Sequence, residues 1–434
     1  MPAESGYALP EAVQADLNAF DPAKRKAALA VAVRDGRSHW PQPANISNIH
    51  CHTFYSYCCM DLSPYGLVWE AGRRGLAVVG STDFDVLNAM DEMFEAGDAL
   101  GMRTTVSLET RVFSEAYADR EVSSPGEPGV MYMMGIGFTK LPAANSIFPT
   151  LAAQSRARNL EMVAKVNAVM GKAAIDYDRD VLPLTPAGNA TERHLCAAYD
   201  NKARAAFANE SDLAAFWAGV LGLDAAKARS LIGDAGGLRN AIRAKLMKKG
   251  GVGYSQPGKG SFPKVEDFFA MVRDARAVPC LAWLDGTSAG EADPGRLIDD
   301  AMSWGARAVN IIPDRNWNIA DPAAKTKKMA ALAAFVGEAR KRALPIVAGT
   351  ELNGPGQKFV DSFDAPELAP YVADFMDGAY WLYGHTVMER FEGKGAMSPW
   401  AEEKFGGDRA AANAFYAQTG RETRPGKGDN HGNI

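Results

Sequence analysis

Cysteine is scarce in this sequence. Five residues in 434 is an odd number, so they cannot all pair with one another, and Cys51, Cys58 and Cys59 stand too close together to read as a disulfide framework. The expected compartment is therefore a reducing one, the cytoplasm. No run approaches the roughly 20 apolar residues of a membrane span. The opening stretch, Met1 to Leu17, has neither the basic nor the apolar segment of a secretory signal, so a soluble, unprocessed chain is expected. Positive charge is not in excess: 47 Lys+Arg against 52 Asp+Glu leave a net charge of −5. That balance argues against a chain built to wrap a nucleic-acid backbone, which needs a basic footprint. It still admits a small phosphorylated substrate, including a nucleotide or a short oligonucleotide. No internal repeat is found. What is present is ordinary for a folded enzyme-sized chain, with 47% hydrophobic and 23% charged residues. The length permits about three domains, or one large barrel with additions.

Short apolar runs alternate with longer helical patterns. The runs are Ile46–His52, Ala77–Asp83, Thr104–Glu109, Val130–Phe138, Val278–Asp285, Ala306–Ile312 and Leu344–Glu351, several of them β-branched and bounded by Gly or Pro. Between them, Ser63-Pro64 supplies a helix cap and a proline at the first helical position, with Gly75 as a stop. Residues 87–100 place Leu87, Met90, Phe94 and Leu100 near one face. The stretches 264–277, 295–304, 322–343 and 366–377 are also helical in character. Strands alternating with helices predict parallel βαβ units. The expected organisation is a helical extension over 1–45 and a barrel over 46–184 and 261–355. An alanine- and charge-rich helical insertion over 185–260 interrupts the barrel and ends in a mobile Gly- and Lys-rich loop. A C-terminal extension over 356–420 and a disordered tail over 421–434 complete the chain.

Several of the runs end in an acidic or imidazole side chain. His50 and His52 are two apart, and in a strand such residues face the same way. Asp83, Glu109, Asp285, Asp314 and Glu351 follow or end other runs. In an α/β barrel the C-terminal strand ends converge on one mouth. Imidazoles and carboxylates gathered there repel or strand one another unless a divalent cation is shared. Histidine nitrogen and carboxylate oxygen suit Zn, Mn or Fe. Taken one at a time, a strand-end carboxylate is more often the N-cap of the next helix, and that is the favoured reading of Asp285 and Asp314. The three clustered cysteines read as small buried hydrophobes, and His39 and His431 as solvated.

At these residues the sequence resembles the PHP (polymerase and histidinol phosphatase) family of metal-dependent phosphoesterases. The family's opening His-x-His-Thr-x-x-Ser is matched by His50-Cys51-His52-Thr53-Phe54-Tyr55-Ser56, and its Gly-Leu plus strand ending Thr-Asp-His-Asp by Gly75-Leu76 through Thr82-Asp83-Phe84-Asp85. Its next strand-end glutamate is matched by Glu109. The stretch Thr191 to Ala197, including His194, resembles the helical insertion of one branch, whose members act on nucleotide or small phosphate esters. The resemblance implies an α/β fold, a distorted (β/α)7 barrel of PHP type with N- and C-terminal helical extensions.

The sequence also departs from the family pattern. Tyr57 stands where an Asp is usual, Phe84 replaces the histidine of Thr-Asp-His-Asp, and Val130 to Gly135 carries no histidine. Trp283 takes the Ala-His position, and Glu351-Leu352-Asn353 the closing Asp-x-His. The resemblance then implies one divalent metal rather than a cluster, held by His50, His52 and Glu109 with Glu351 and Asn353 as stand-ins. Asp83 is expected to orient a histidine ligand from behind. Asp285, on the side of Trp283, could partly replace the lost ligand. Arg315, after a strand, reads equally as a phosphate clamp or as a surface turn. His194 reads as a substrate contact or as helix packing, and Tyr380 to Thr386, with His385, either as bringing a replacement ligand to the site or, as the favoured reading, as packing of the C-terminal extension. The expected function is hydrolysis of a small phosphate ester through a metal-activated water, with Asp83, Arg315 and His194 in catalytic support. Two alternatives stand beside it: a catalytically degenerate barrel that binds a ligand or partner, and a single-metal amide or lactone hydrolase.

Overall fold

The computed structural model describes residues 7–426. Seven strands form one sheet in sequential order: β1 (Ser47–Cys51), β2 (Val78–Phe84), β3 (Arg103–Phe113), β4 (Val130–Ile136), β5 (Val278–Ala282), β6 (Ala308–Ile311) and β7 (Ile346–Ala348). Each lies within one of the runs read from the sequence except β2, which passes Asp83 by one residue, and β3, which starts one residue before Thr104 and extends four residues beyond Glu109. The strands are buried almost throughout, as near-continuous apolar runs covered on both faces should be. The sheet curls until its ends meet. Cys51 and Glu351 form a parallel bridge, the His52 N–H donates to the Glu351 carbonyl at 2.7 Å, and the Glu351 N–H donates to the His50 carbonyl at 2.7 Å. The result is a nearly closed seven-stranded barrel with helices around it.

The all-parallel expectation needs correction. β4 runs antiparallel to both β3 and β5. A parallel return requires a crossover of a dozen or more residues, usually a helix. After Phe113 the chain has only the short turn Glu115–Tyr117 and the Ser-, Pro- and Gly-rich stretch 123–129 before Val130. It therefore doubles back. The other pairings are parallel.

The helices follow local signals. Ser63 Oγ accepts the Gly66 N–H and opens Pro64–Arg73, and Gly75 beyond it adopts φ +69°. Met90–Leu100, Val265–Asp274, Pro294–Trp304 and Pro322–Lys341 lie inside expected helical stretches or within a residue of them. The stretch 366–377 does not form one helix. Pro370 disfavours helical geometry just before it, and the helix runs instead over Val372–Glu392. Its glycines allow close packing: a Cβ on Gly384 would collide with the Tyr416 carbonyl, and one on Gly378 with the Ile346 carbonyl. The last helix, Arg409–Glu422, overruns the expected start of the tail. Residues 427–434, with His431, lie outside the described residues.

Among the described residues no strand occurs between Ile136 and Val278. Ahead of the helix Val265–Asp274, that stretch holds the long helix Phe148–Met170 and four shorter α-helices, Glu192–Ala206, Glu210–Leu221, Ala225–Ile232 and Ala235–Ile242. They share an apolar cluster from Val163 to Met247, in which Trp217, Tyr199 and Leu195 are fully buried, that is separate from the barrel core. No described helix is long and apolar enough to cross a membrane, and all five cysteines are free, four of them buried.

Candidate metal centre

The barrel brings His50, His52 and Glu109 together. One nitrogen of each imidazole and one oxygen of the carboxylate lie within 4.8 Å of one another. His50 Nε2 and His52 Nε2 are each 3.5 Å from Glu109 Oε2. The three residues are at most 4% exposed, and these three atoms are buried without any hydrogen-bond partner. A buried polar atom left unpaired costs roughly 1–3 kcal/mol, so three that converge on one point call for a shared partner.

The opposite edges of both rings are held. The Asn310 amide donates from Nδ2 to the Val347 carbonyl, which leaves Oδ1 facing His50 Nδ1 at 3.1 Å. That oxygen only accepts, so Nδ1 carries the hydrogen and Nε2 presents a lone pair. His52 Nδ1 lies 2.9 Å from Ser56 Oγ. The Ser56 hydroxyl is committed as a donor to Asp83 Oδ1 at 2.6 Å, so Ser56 accepts from His52, and here too Nε2 is bare. Asp83 also accepts from Thr53 N at 2.8 Å and from Thr53 Oγ1 at 2.7 Å. Asp83 thus sits behind His52, acting through Ser56. Fixing the far nitrogen in this way is how metal-binding imidazoles are oriented. The His-x-His spacing places both rings; Ser56, the last residue of the motif, and Asn310 fix their tautomers.

Electrostatics agree with the geometry. Burial pulls the His50 pKa down, and the Glu109 carboxylate more than reverses this, leaving it above the ordinary value. Glu109 is itself pushed up by burial and pulled further the other way by His50 and His52, so its carboxyl is held well below the usual range. Burial raises Asp83, against the pull of His52 and the hydrogen bonds from Ser56 and Thr53.

The rest of the mouth is arranged differently. Glu351 is not among the three convergent ligands. Its Oε1 accepts from Arg315 Nη2 at 2.6 Å and its Oε2 from Gln357 Nε2 at 3.1 Å. Arg315 lines the cavity from the one-turn helix Asp314–Trp317, with its pKa pulled down by burial and raised further by Glu351. Asn353 also lines the cavity. Glu351 and Leu352 adopt φ +68° and +58°, and Tyr57 and Asp85 adopt +92° and +63°. Such left-handed backbone costs roughly 1–3 kcal/mol per non-glycine residue and gathers where function over-determines it.

Asp285 stays away from the three ligands, His194 takes the helix-packing place, and His385 packs the C-terminal extension as expected. Asp285 does not join the site: β5 ends at Ala282, so the strand alternation that would keep Asp285 beside Trp283 no longer applies. Its carboxylate accepts from Thr287 N and Oγ1 and pairs with Lys328 at 2.8 Å. His194 caps the helix it begins: Nδ1 accepts the Thr191 N–H at 3.0 Å, the ring packs edge-on against Tyr57 at 5.3 Å, and it is not among the cavity's lining residues. His385 donates from Nε2 to the Gly137 carbonyl at 3.1 Å while Nδ1 accepts the Ala396 N–H at 2.9 Å. It packs the C-terminal extension and leaves no nitrogen free. Asp314 pairs with Lys358 at 3.8 Å, and His39 is exposed, stacked on Tyr7.

Above the three ligands lies a cavity of about 790 Å³. Phe84, which packs on the His52 ring at 4.3 Å, and Trp283 give it apolar walls. Tyr132 lines it from β4, paired across the strands with Arg111, and burial pushes its hydroxyl up to about 12. The helical stretch between β4 and β5, the helical unit, also lines it, from Ser155 to Lys249.

No family model matches the sequence, and no curated protein resembles it. Among solved structures, a protein of Bifidobacterium adolescentis provisionally named a metal-dependent phosphoesterase is 17% identical, with 77% of this chain and 98% of that chain covered and a TM-score of 0.48. An amidohydrolase of Chromobacterium violaceum, solved with sulfate and no metal, is 16% identical over 76% of this chain and 97% of that one, with a TM-score of 0.46.

Proposed function

We propose that the chain is a single-metal hydrolase of a small phosphate ester. The observation that supports this most directly is the convergence of three buried, unpartnered ligand atoms on His50, His52 and Glu109. Two neutral imidazoles and one carboxylate suit one Zn, Mn or Fe ion and leave further positions for water and substrate. When bound, the ion supplies Lewis-acid charge and a water acidic enough to attack near neutral pH. The protein's own groups do the rest. Ser56 and Asn310 keep both Nε2 atoms available, and Asp83 holds Ser56. Arg315, held in place by Glu351, offers its guanidinium to a phosphoryl oxygen. Asn353 lies within the same cavity and can contribute a carbonyl oxygen. Phe84 and Trp283 exclude water from one side.

The PHP type of the barrel belongs to the same proposal, supported by the order of His50, His52, Asp83 and Glu109 on or directly after β1, β2 and β3. So does the division into a barrel over 46–184 and 261–355 with 185–260 inserted, flanked by extensions. The separate apolar cluster speaks for an inserted helical unit, and because it starts at Val163 it draws the helix Phe148–Met170 into that unit, ahead of residue 185.

One observation favours a second reading, a barrel that has kept its fold and binds a ligand without turnover. Both oxygens of Glu351 are engaged, and Phe84 occupies space against His52. That reading predicts no hydrolysis of any phosphate ester with added Mn, Zn or Fe. The deciding experiment measures bound metal and phosphatase activity in the wild type and in His52→Ala. Metal and activity lost together support the hydrolase; equal metal content in both removes its foundation.

A further inference from the structure

The cavity is electrically lopsided. The residues that the barrel contributes include the carboxylates Asp85, Glu109, Glu127 and Glu351 against only two cations, Arg111 and Arg315. The wall contributed by the helical unit carries Arg158, Arg193, Arg243, Lys248 and Lys249 against two carboxylates, Glu161 and Glu192. Most of these cations are accounted for. Arg243 and Lys248 both pair with Glu192, at 2.8 and 2.7 Å, and Arg193 donates to Asn240. Arg158 is different. Among the described residues no carboxylate lies within ion-pair distance of it, and its hydrogen bond is a single one, from Nη1 to the Ser261 carbonyl at 3.0 Å.

A second guanidinium stands beside it. Arg158 lies 4.4 Å and Arg111 4.5 Å from the centre of the same ring, Phe262. Arg111 projects from β3 two residues beyond Glu109 and pairs with Glu127 at 3.1 Å. Burial and the neighbouring Arg111 together push the Arg158 pKa down to about 10. Two like charges share one ring; the carboxylates Glu127 and Asp85 attract both, but only Arg111 is paired with one, which leaves Arg158 an incompletely compensated charge on the cavity wall. An oxyanion that takes the free donors of Arg158 completes the compensation, because a guanidinium fork matches such groups bidentately.

We propose that Arg158, with Arg111 across Phe262, forms an oxyanion subsite on the helical wall, apart from the metal ligands, so that the favoured substrate carries a second anionic group besides the phosphate that is hydrolysed. The proposal rests on the phosphatase reading for the word substrate; the subsite itself rests on the cavity. A carboxylate and a phosphoryl group share the required chemistry, and the experiment separates them.

Binding of inorganic phosphate and of acetate to chelator-treated protein is measured by calorimetry for the wild type, Arg158→Gln and His52→Ala. Removing metal first isolates this subsite from the centre at Glu109. The expected result is that Arg158→Gln weakens anion binding about tenfold or more while His52→Ala binds as the wild type does; the tighter of the two ions identifies the group. Wild-type affinity in Arg158→Gln overturns the subsite, as does binding lost in His52→Ala alone. Should Arg158→Gln unfold, Arg158→Lys serves as a second variant: charge kept but fork lost gives weakened, not abolished, binding. With metal restored, kcat/KM is then compared between phosphate monoesters with and without a second anionic group. A preference of about tenfold that shrinks in Arg158→Gln with kcat unchanged supports the substrate class. Anion binding without any turnover leaves the subsite standing and discards the phosphatase.

Discussion

Two carboxylates at the barrel mouth make an instructive pair. Glu109, inside β3 four residues before its end, and Glu351, three residues past β7, are the same chemical group facing one mouth, yet one is bare and the other is occupied. Glu109 Oε2 faces two imidazole nitrogens and has no hydrogen-bond partner. Glu351 is satisfied on both oxygens by Arg315 and Gln357. The difference shows that position at a strand end does not make a carboxylate a metal ligand. What surrounds its oxygens does. On one side of the mouth the neighbours turn lone pairs toward a common point; on the other, a guanidinium already fills the role of the cation.

The sharpest way to break this comparison is to neutralise each carboxylate in turn. Glu109→Gln should lower metal affinity by more than about 100-fold, since even partners behind a ligand are worth about 10- to 100-fold. Glu351→Gln should leave metal content unchanged in elemental analysis. If Glu351→Gln empties the site as Glu109→Gln does, the two sides are equivalent and Glu351 is a ligand. A smaller effect is expected one step back. Asn310→Ala and Ser56→Ala free the rings to adopt the wrong tautomer and should each weaken metal binding about 10- to 100-fold in a chelator competition. On the opposite side, Arg315→Gln should reduce kcat/KM for a phosphate ester about tenfold, the worth of one charge-assisted hydrogen bond, with metal still bound. Metal loss in Arg315→Gln would mean that the guanidinium supports the ligands rather than the substrate.

The mildest test uses a histidine that belongs to neither side. His385 has both nitrogens satisfied, and its neutral form is required, because Nδ1 accepts the Ala396 N–H. Burial holds its pKa down to about 4. The unfolded chain binds a proton that the folded one refuses, so stability present above about pH 6.5 is lost as the pH falls toward 4. Between pH 7 and pH 5 this amounts to about 2 kcal/mol. His194, likewise lowered to about 4 by burial, adds to the same acid limb. Urea midpoints at the two pH values should show His385→Gln losing about that much less stability on acidification than the wild type, with metal content unaffected. An identical acid slope in both proteins would remove His385 from the account.

Much of the barrel was legible because the strands are apolar runs, several of them bounded by Gly or Pro, and because His50 and His52 share a face through the two-residue period of a strand. The direction of β4 was not, since periodicity says nothing of polarity; the missing crossover helix between Phe113 and Val130 was the available sign. Asp285 was misplaced because strand alternation was carried past the point where the strand ends. Asn310 was missed altogether. A lone amide inside the buried run Ala308–Ile311 was the only clue, and a residue that orients a ring from another strand leaves no mark in the local sequence. Arg158 and Phe262, 104 positions apart in the chain, gave no signal of each other.

The sequence by itself determined the order in which chemistry-bearing side chains arrive at the strand ends, since that order is a matter of local periodicity and spacing. Only the tertiary structure decided which of them are free to bind. The hydrogen bond between His50 and Asn310 spans 260 residues, and the one between Glu351 and Arg315 spans 36. Whether a buried lone pair is bare or taken is a property of everything packed around it, and that is settled when the barrel closes and not before.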